Sequence, residues 1–203
     1  MIVNLIAKFI FVISELISKY YLKFYKRGRF LYYKNKGLRA QHNPFAKHIT
    51  LRNPQYISML GKKGSVNDYC VLECWDEYHG QHFSPSITIG EDFNIGEFTH
   101  ITAVNKISIG RGLLTGRFVL ISDNCHGAVI GDELDENPRY RPLTSKGDIV
   151  IGNNVWIGDK ATILAGVTIG DGCIIAANSV VNRSIPSYCL VAGSPARIIR
   201  KLR

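Results

Sequence analysis

The feature that most restricts how this chain can fold is a period of six residues. Read in sixes from Ile151, the sequence runs IGNNVW, IGDKAT, ILAGVT, IGDGCI, IAANSV and VNRSIP. The first position is Ile until the last unit, where it is Val. The fifth is Val, Ala, Val, Cys, Ser and Ile, and the second is mostly Gly or another small residue. The same frame appears upstream as IGEDFN, IGEFTH and ITAVNK from Ile89. It slips at Ile107 and Ser108 and resumes from Ile109 as IGRGLL, TGRFVL and ISDNCH, with Thr115 a weak member. A strand has period two and a helix 3.6, so neither alone explains an unbroken period of six. A flat strand followed by a tight turn, repeated as a solenoid, does explain it. Position-one aliphatics then point inward, small position-five residues fill the space beside them, and position-two Gly tolerates the turn. Three such faces make a coil of about eighteen residues. Position six points outward and is free for function.

Composition matters mainly for where the charge lies. The formal charge is +9, and residues 1–40 hold nine Lys or Arg against the single acid Glu15. The rest of the chain is nearly neutral, so the balance gives no reason to expect a nucleic-acid partner. Residues 1–17 are apolar but interrupted by Lys8 and Glu15, short of the ~20 residues of a membrane span. A basic start and a small-residue cleavage site are missing, which argues against a secretory signal. Asn4, Lys8, Glu15 and Lys19 share one helical face, and a basic, tyrosine-rich stretch follows. Two readings stay open for this arm. It is an interfacial helix on the cytoplasmic face of a membrane, or a helix packed on the body or on a neighbouring subunit. The five cysteines (Cys70, Cys74, Cys125, Cys173, Cys189) read as reduced cytosolic thiols, without the spacing of a zinc site. The expected location is the cytoplasm, with peripheral membrane contact through residues 1–40.

The chain therefore divides into a helical arm (1–40), a connecting region (41–86) and a β-helix (87–203) that ends in a tail (187–203). Residues 127–148 abandon the period, are polar and are too long for a turn; such excursions from compact repeats are usually functional. His126, at position six immediately before the excursion, and Trp156 are the outward residues that stand out. A histidine, with an ordinary pKa near 6.5, can accept a proton at neutral pH. Asp123 and Asn124 lie close enough in sequence to orient it, as backbone carbonyls also could. His100 occupies a position six of its own.

The stretches VWIGDKATILAGVTIGDGCIIAANSVV and VAGSPARIIRKLR resemble the hexapeptide-repeat acetyltransferases, and most nearly the maltose, galactoside and polysaccharide O-acetyltransferase branch. PLTSKGDIVIG resembles the members acting on bacterial surface polysaccharides. The resemblance implies a mainly β fold: a left-handed parallel β-helix with an N-terminal helix and a short C-terminal helix, assembled as a homotrimer. It also implies direct acetyl transfer from acetyl-CoA to a sugar or glycan hydroxyl, with no metal, and His126 as general base. Trp156, Asp159 and Ala177 would line the pantetheine arm, and Arg183, Arg197 and Arg200 the phosphates. Asn182 stands where many relatives carry a hydroxyl. His100 and Asn124 would meet the acceptor. Acetylation of an amino sugar or of a small drug-like molecule is the nearest alternative. A zinc hydro-lyase like the β-helical carbonic anhydrases lacks its third histidine, and a purely structural solenoid gives no reason for these motif residues to occur together.

Overall fold

The computed structural model describes residues 2–127 and 131–203. Beyond one long helix, α1 (Ile2–Asn35), the chain is a parallel β-helix of triangular section. The first face has six strands, from Arg39–Ala40 to Thr168–Ile169; the third also has six, from Thr50–Arg52 to Val180–Val181. The second face has seven, running from Gly64–Val66 to a closing antiparallel pair. Each coil lies in register on the next: Ile151 on Ile169, Ile157 on Ile175, Ile163 on Val181.

The inward positions are those expected. Ile151, Ile157, Ile163, Ile169 and Ile175 are buried, and so are the fifth residues Val155, Ala161, Val167, Cys173 and Ser179. The glycines have a different cause from the one expected. Positive φ falls at position four, at Asp92, Phe98, Phe118, Asn154, Lys160 and Asn178, with Gly only at some units. Position-two glycines are instead held by stacking: a Cβ on Gly90 would come 2.6 Å from the Gly110 carbonyl carbon, and one on Gly110 would come 2.8 Å from that of Gly152. The column has no room for a side chain.

Two sequence-based boundaries need correction. The solenoid does not begin at residue 87: Arg39–Ala40, Thr50–Arg52, Ile57–Met59, Gly64–Val66 and Val71–Cys74 already belong to its three faces. Residues 41–86 are coils whose unequal lengths hide the period. The expected short C-terminal helix is a strand, Ala196–Lys201, folded back on Cys189–Gly193. Ser194 and Pro195 make the reversal, and β-branched Ile198 and Ile199 suit the extended form.

Helix α1 ends where Gly37 takes a left-handed conformation (φ 95°) and the Leu38 amide donates back to the Tyr33 carbonyl at 3.0 Å. Its last turns seat on the first coil, with Phe30 and Tyr33 against Phe45, and Arg29 donates to the Ala46 and Lys47 carbonyls. The earlier turns stand away from the body. From Ile6 to Ile17 the large apolar side chains are exposed. Of the polar stripe expected on this helix, the Asn4 side chain lies outside the described residues. Among the described residues, no helix is long and apolar enough to cross a membrane.

Stacking at position two yields a test. Gly110→Ala should lower unfolding free energy by roughly 1–3 kcal/mol through overpacking. In urea titration the midpoint should fall with an unchanged m value.

Candidate active site

Three departures from the regular coil share one corner, between the third and first faces. The first carries a hairpin, Glu77–Tyr78 with Gln81–His82, between Val71–Cys74 and Ser86–Ile89. The second is the two-residue slip, which the structure places between His100–Ala103 and Lys106–Ile109. The third is the excursion 127–148, whose residues 128–130 lie outside the described residues. It leaves and returns through one short antiparallel pair, with His126 opposite Leu143 and Cys125 opposite Thr144. The Gly127 amide donates to the Pro142 carbonyl at 2.7 Å, closing its neck.

The hairpin and the excursion brace each other. The Leu143 amide donates to Gln81 Oε1 at 2.7 Å, the Tyr78 hydroxyl donates to the Arg139 carbonyl, and the His79 ring meets Tyr140 edge-on. Between them is a cleft of about 530 Å³ lined by Glu73, Trp75, Tyr78, His100, Thr102, Asn124, His126, Pro138, Arg139 and Leu143. His126, His100 and Asn124, separated in sequence, thus meet in one cleft. His126 is exposed, with the Tyr78 ring edge-on at 5.3 Å between centroids.

Asp123 does not orient His126. It is fully buried, and its two carboxylate oxygens accept the Val104 and Asn105 amides at 2.8 and 2.9 Å. Burial raises its pKa, while those amides and the Asn124 side chain pull the other way. Its job is to hold the two-residue slip in place. Asn124 Nδ2 donates to Asp123 Oδ1 at 3.1 Å, which fixes the amide at the cleft wall.

Sequence reading missed Glu73, Trp75, Tyr78 and Arg139. His100 Nε2 lies 3.1 Å from Glu73 Oε1, and that hydrogen bond holds the Glu73 carboxyl below its usual range. The Arg52 guanidinium sits 3.4 Å from the Trp75 ring centroid, fixing the indole at the cleft edge. For Trp75 and Tyr78 a local signal exists: the short polar-aromatic run CWDEYHGQHF reads as a hairpin around His79-Gly80.

A second groove, about 490 Å³, runs along the second face past Trp156, Gly158, Asp159, Ile174, Ile175, Ala176, Ala177 and Leu190. Trp156, Asp159 and Ala177 are together, as expected, and Trp156 is half exposed. Asp159 also has a structural duty, because its Oδ1 accepts the Arg117 amide at 2.8 Å. Asn153 and Asp171, at the same repeat position, cap the coils above them in the same way. Arg197 and Arg200 pair with Ala192 and Leu190, so they extend the outward row that includes the groove-lining Leu190. Arg183, in the turn after Val180–Val181, is exposed and is not part of the groove lining. Asn182 is exposed beside it. The groove and the histidine cleft share no lining residue within one chain.

Four of the five cysteines are buried and Cys125 is exposed, all as free thiols. Burial pushes Cys70 up to about 11 and Cys74 up to about 12, which keeps them protonated packing groups. Among the described residues no group of three His, Cys, Asp or Glu is placed to hold a metal ion.

Comparison with known proteins agrees with this geometry. The sequence model described as bacterial transferase hexapeptide (six repeats) matches residues 148–183, the stretch that carries the lining of the second groove except for Leu190. The putative lipopolysaccharide biosynthesis O-acetyl transferase WbbJ of Escherichia coli (strain K12) is 35% identical over 118 residues, covering 57% of this chain and 60% of that protein. The galactoside O-acetyltransferase of the same strain is 33% identical over 130 residues, covering 57% of this chain and 64% of that protein. The chain thus spans less than two thirds of the length of these relatives. A solved structure of the N-acyltransferase AntD from Bacillus cereus, in complex with dTDP-4-amino-4,6-dideoxyglucose and coenzyme A, superposes with a TM-score of 0.65 at 20% identity. That match covers 84% of this chain and 87% of the other, and is a likeness of fold. The chain thus carries the hexapeptide repeat over residues 148–183, and in its repeat and its three-faced parallel coil it is similar to these hexapeptide-repeat transferases.

Proposed function

We propose that this chain is an acetyl-CoA-dependent O-acetyltransferase acting on a sugar hydroxyl, of a cell-surface polysaccharide or its precursor. The observation that carries the proposal is the placement of His126 in a cleft with Glu73, His100, Asn124, Trp75 and Tyr78. Aromatic edges suit the C–H faces of a sugar, and the mixed polar groups suit its hydroxyls. His126 takes the proton of the acceptor hydroxyl as its oxygen attacks the acetyl carbonyl, then returns that proton to the departing thiolate. The groove past Trp156, floored by Gly158, Ala176 and Ala177, admits a narrow chain close to the backbone. Arg197 and Arg200 continue it with guanidinium groups suited to phosphates, and Arg183 lies beyond its lining as a further cation.

Cleft and groove lie apart on one chain, so we place the complete site between copies of a homotrimer, His126 from one and Trp156 from its neighbour. Such a heterologous contact closes naturally into a ring. Acetylation of an amino sugar is a second reading, favoured by the Glu73 carboxylate, which can hold an ammonium group in the cleft.

His126→Ala should lower turnover at least about a hundredfold while leaving CoA affinity nearly intact. Steady-state kinetics with acetyl-CoA and a panel of sugars, alongside CoA calorimetry, reads both quantities. Near-normal turnover would remove His126 from the mechanism, and an amino sugar preferred over its hydroxyl analogue would select the second reading.

The shared site has its own test. Chains carrying His126→Ala and chains carrying Trp156→Ala, each nearly inactive alone, are unfolded together and refolded. Random mixing in a trimer with shared sites should restore roughly a quarter of them. Recovery no greater than the sum of the separate variants would place each site within one chain.

A further inference from the structure

The part of the molecule left unexplained by catalysis is the free portion of α1. From Ile6 to Tyr25 it carries exposed Phe9, Ile10, Phe11, Ile13, Leu16, Ile17, Tyr20, Tyr21 and Phe24, with Phe9 66% and Phe24 71% accessible. The interactions that seat the helix on the body come from Lys26 onward. Exposed apolar surface of this extent marks a contact with something else.

Its chemistry selects the occupant. At 3.6 residues per turn, Lys8, Glu15, Lys19, Lys23 and Lys26 fall within about 80° of one another. Phe9, Ile10, Ile13, Leu16, Ile17, Tyr20 and Phe24 fill an arc of about 120° beside it. The apolar arc is wide and the polar stripe narrow and cationic, with seven Lys or Arg against one Glu over Ile2–Asn35. Three tyrosines, Tyr20, Tyr21 and Tyr25, stand where the apolar half gives way to the basic half, as amphipathic rings do at a headgroup boundary. A bundle of α1 helices packed through the apolar face would leave the lysine stripe facing solvent with no anion against it, whereas an anionic bilayer supplies phosphates to it.

We infer that α1 is an interfacial helix that lies in the surface of an anionic lipid bilayer. Its Phe9–Phe24 face sinks among the acyl chains, and its lysine stripe lies against lipid phosphates. No span is needed, consistent with the absence of a crossing helix among the described residues. The seat of Phe30, Tyr33 and Arg29 on the first coil then fixes the β-helix to the surface through its N-terminal end. This inference is independent of the reaction proposed above.

The test is co-sedimentation of the full chain with vesicles. Wild type should pellet with equimolar phosphatidylglycerol and phosphatidylcholine, and far less with phosphatidylcholine alone. Lys19→Glu with Lys23→Glu should weaken anionic-vesicle binding at least about tenfold, and added salt should weaken it too. Phe9→Glu with Ile13→Glu should abolish binding, with an unchanged melting temperature of the β-helix showing that the body is folded. A wild-type chain that stays in the supernatant with anionic vesicles overturns the inference. If its mass in solution also falls in the Phe9→Glu, Ile13→Glu variant, the face belongs to a second copy.

Discussion

Parallel strands stacked about 4.8 Å apart force each coil to repeat the backbone path of the coil below it. A residue therefore meets its own counterpart in the next coil, and the whole sequence pattern follows from that. Inward aliphatics form continuous columns because Ile157 must rest on Ile175 and Ile163 on Val181. Position-two glycines of the first and second faces, such as Gly90, Gly110 and Gly116, have no room for a side chain because the corner of the next coil lies directly against them. Position-three Asn153, Asp159 and Asp171 each turn an oxygen toward an amide of the neighbouring coil, satisfying a backbone donor that the corner leaves open.

Such a lattice tolerates extra residues only where they can leave it. An insertion within a strand would shift every inward residue to the outside; at a corner it disturbs nothing above or below. The hairpin at Glu77–His82, the slip between Ala103 and Lys106, and the excursion before Ile149 all use the same corner. The buried Asp123 carboxylate reinforces it by holding the Val104 and Asn105 amides. The cleft owes its rigidity to this arrangement, because loops braced against each other stand on a scaffold that cannot slide.

The same constraint decides what could be read from the sequence. From Ile89 on, even spacing makes the inward residues legible, and it is the family resemblance that puts Trp156, Asp159 and Ala177 side by side. His126, His100 and Asn124 also came together, although their spacing alone does not imply it. Upstream, Leu51 stacks on Leu72 and Leu72 on Ile101 at unequal separations. A fixed period cannot find such coils, so Glu73, Trp75 and Tyr78 stayed hidden. The C-terminal strand was misread because Ala196–Lys201 carries no repeat; only the Ser194-Pro195 reversal and two β-branched residues betray its pairing with Cys189–Gly193.

Regular and irregular parts of the solenoid suit different kinds of recognition. A regular face offers small residues and accessible backbone in an unvarying array, which suits a long, narrow ligand common to many proteins. The family model matches residues 148–183, and the lining of the Trp156 groove falls within that stretch except for Leu190. An irregular corner offers side chains of any type at positions set by insertions. Glu73, Trp75, Tyr78, His100 and Asn124 all lie before residue 148, outside that match. Under the proposed function, donor recognition would remain constant while the acceptor changes with the length and content of two loops. In the proposed reaction, identity to a relative across the repeat would therefore say little about the acceptor, and the corner from Glu73 to Leu143 is where that choice would be made.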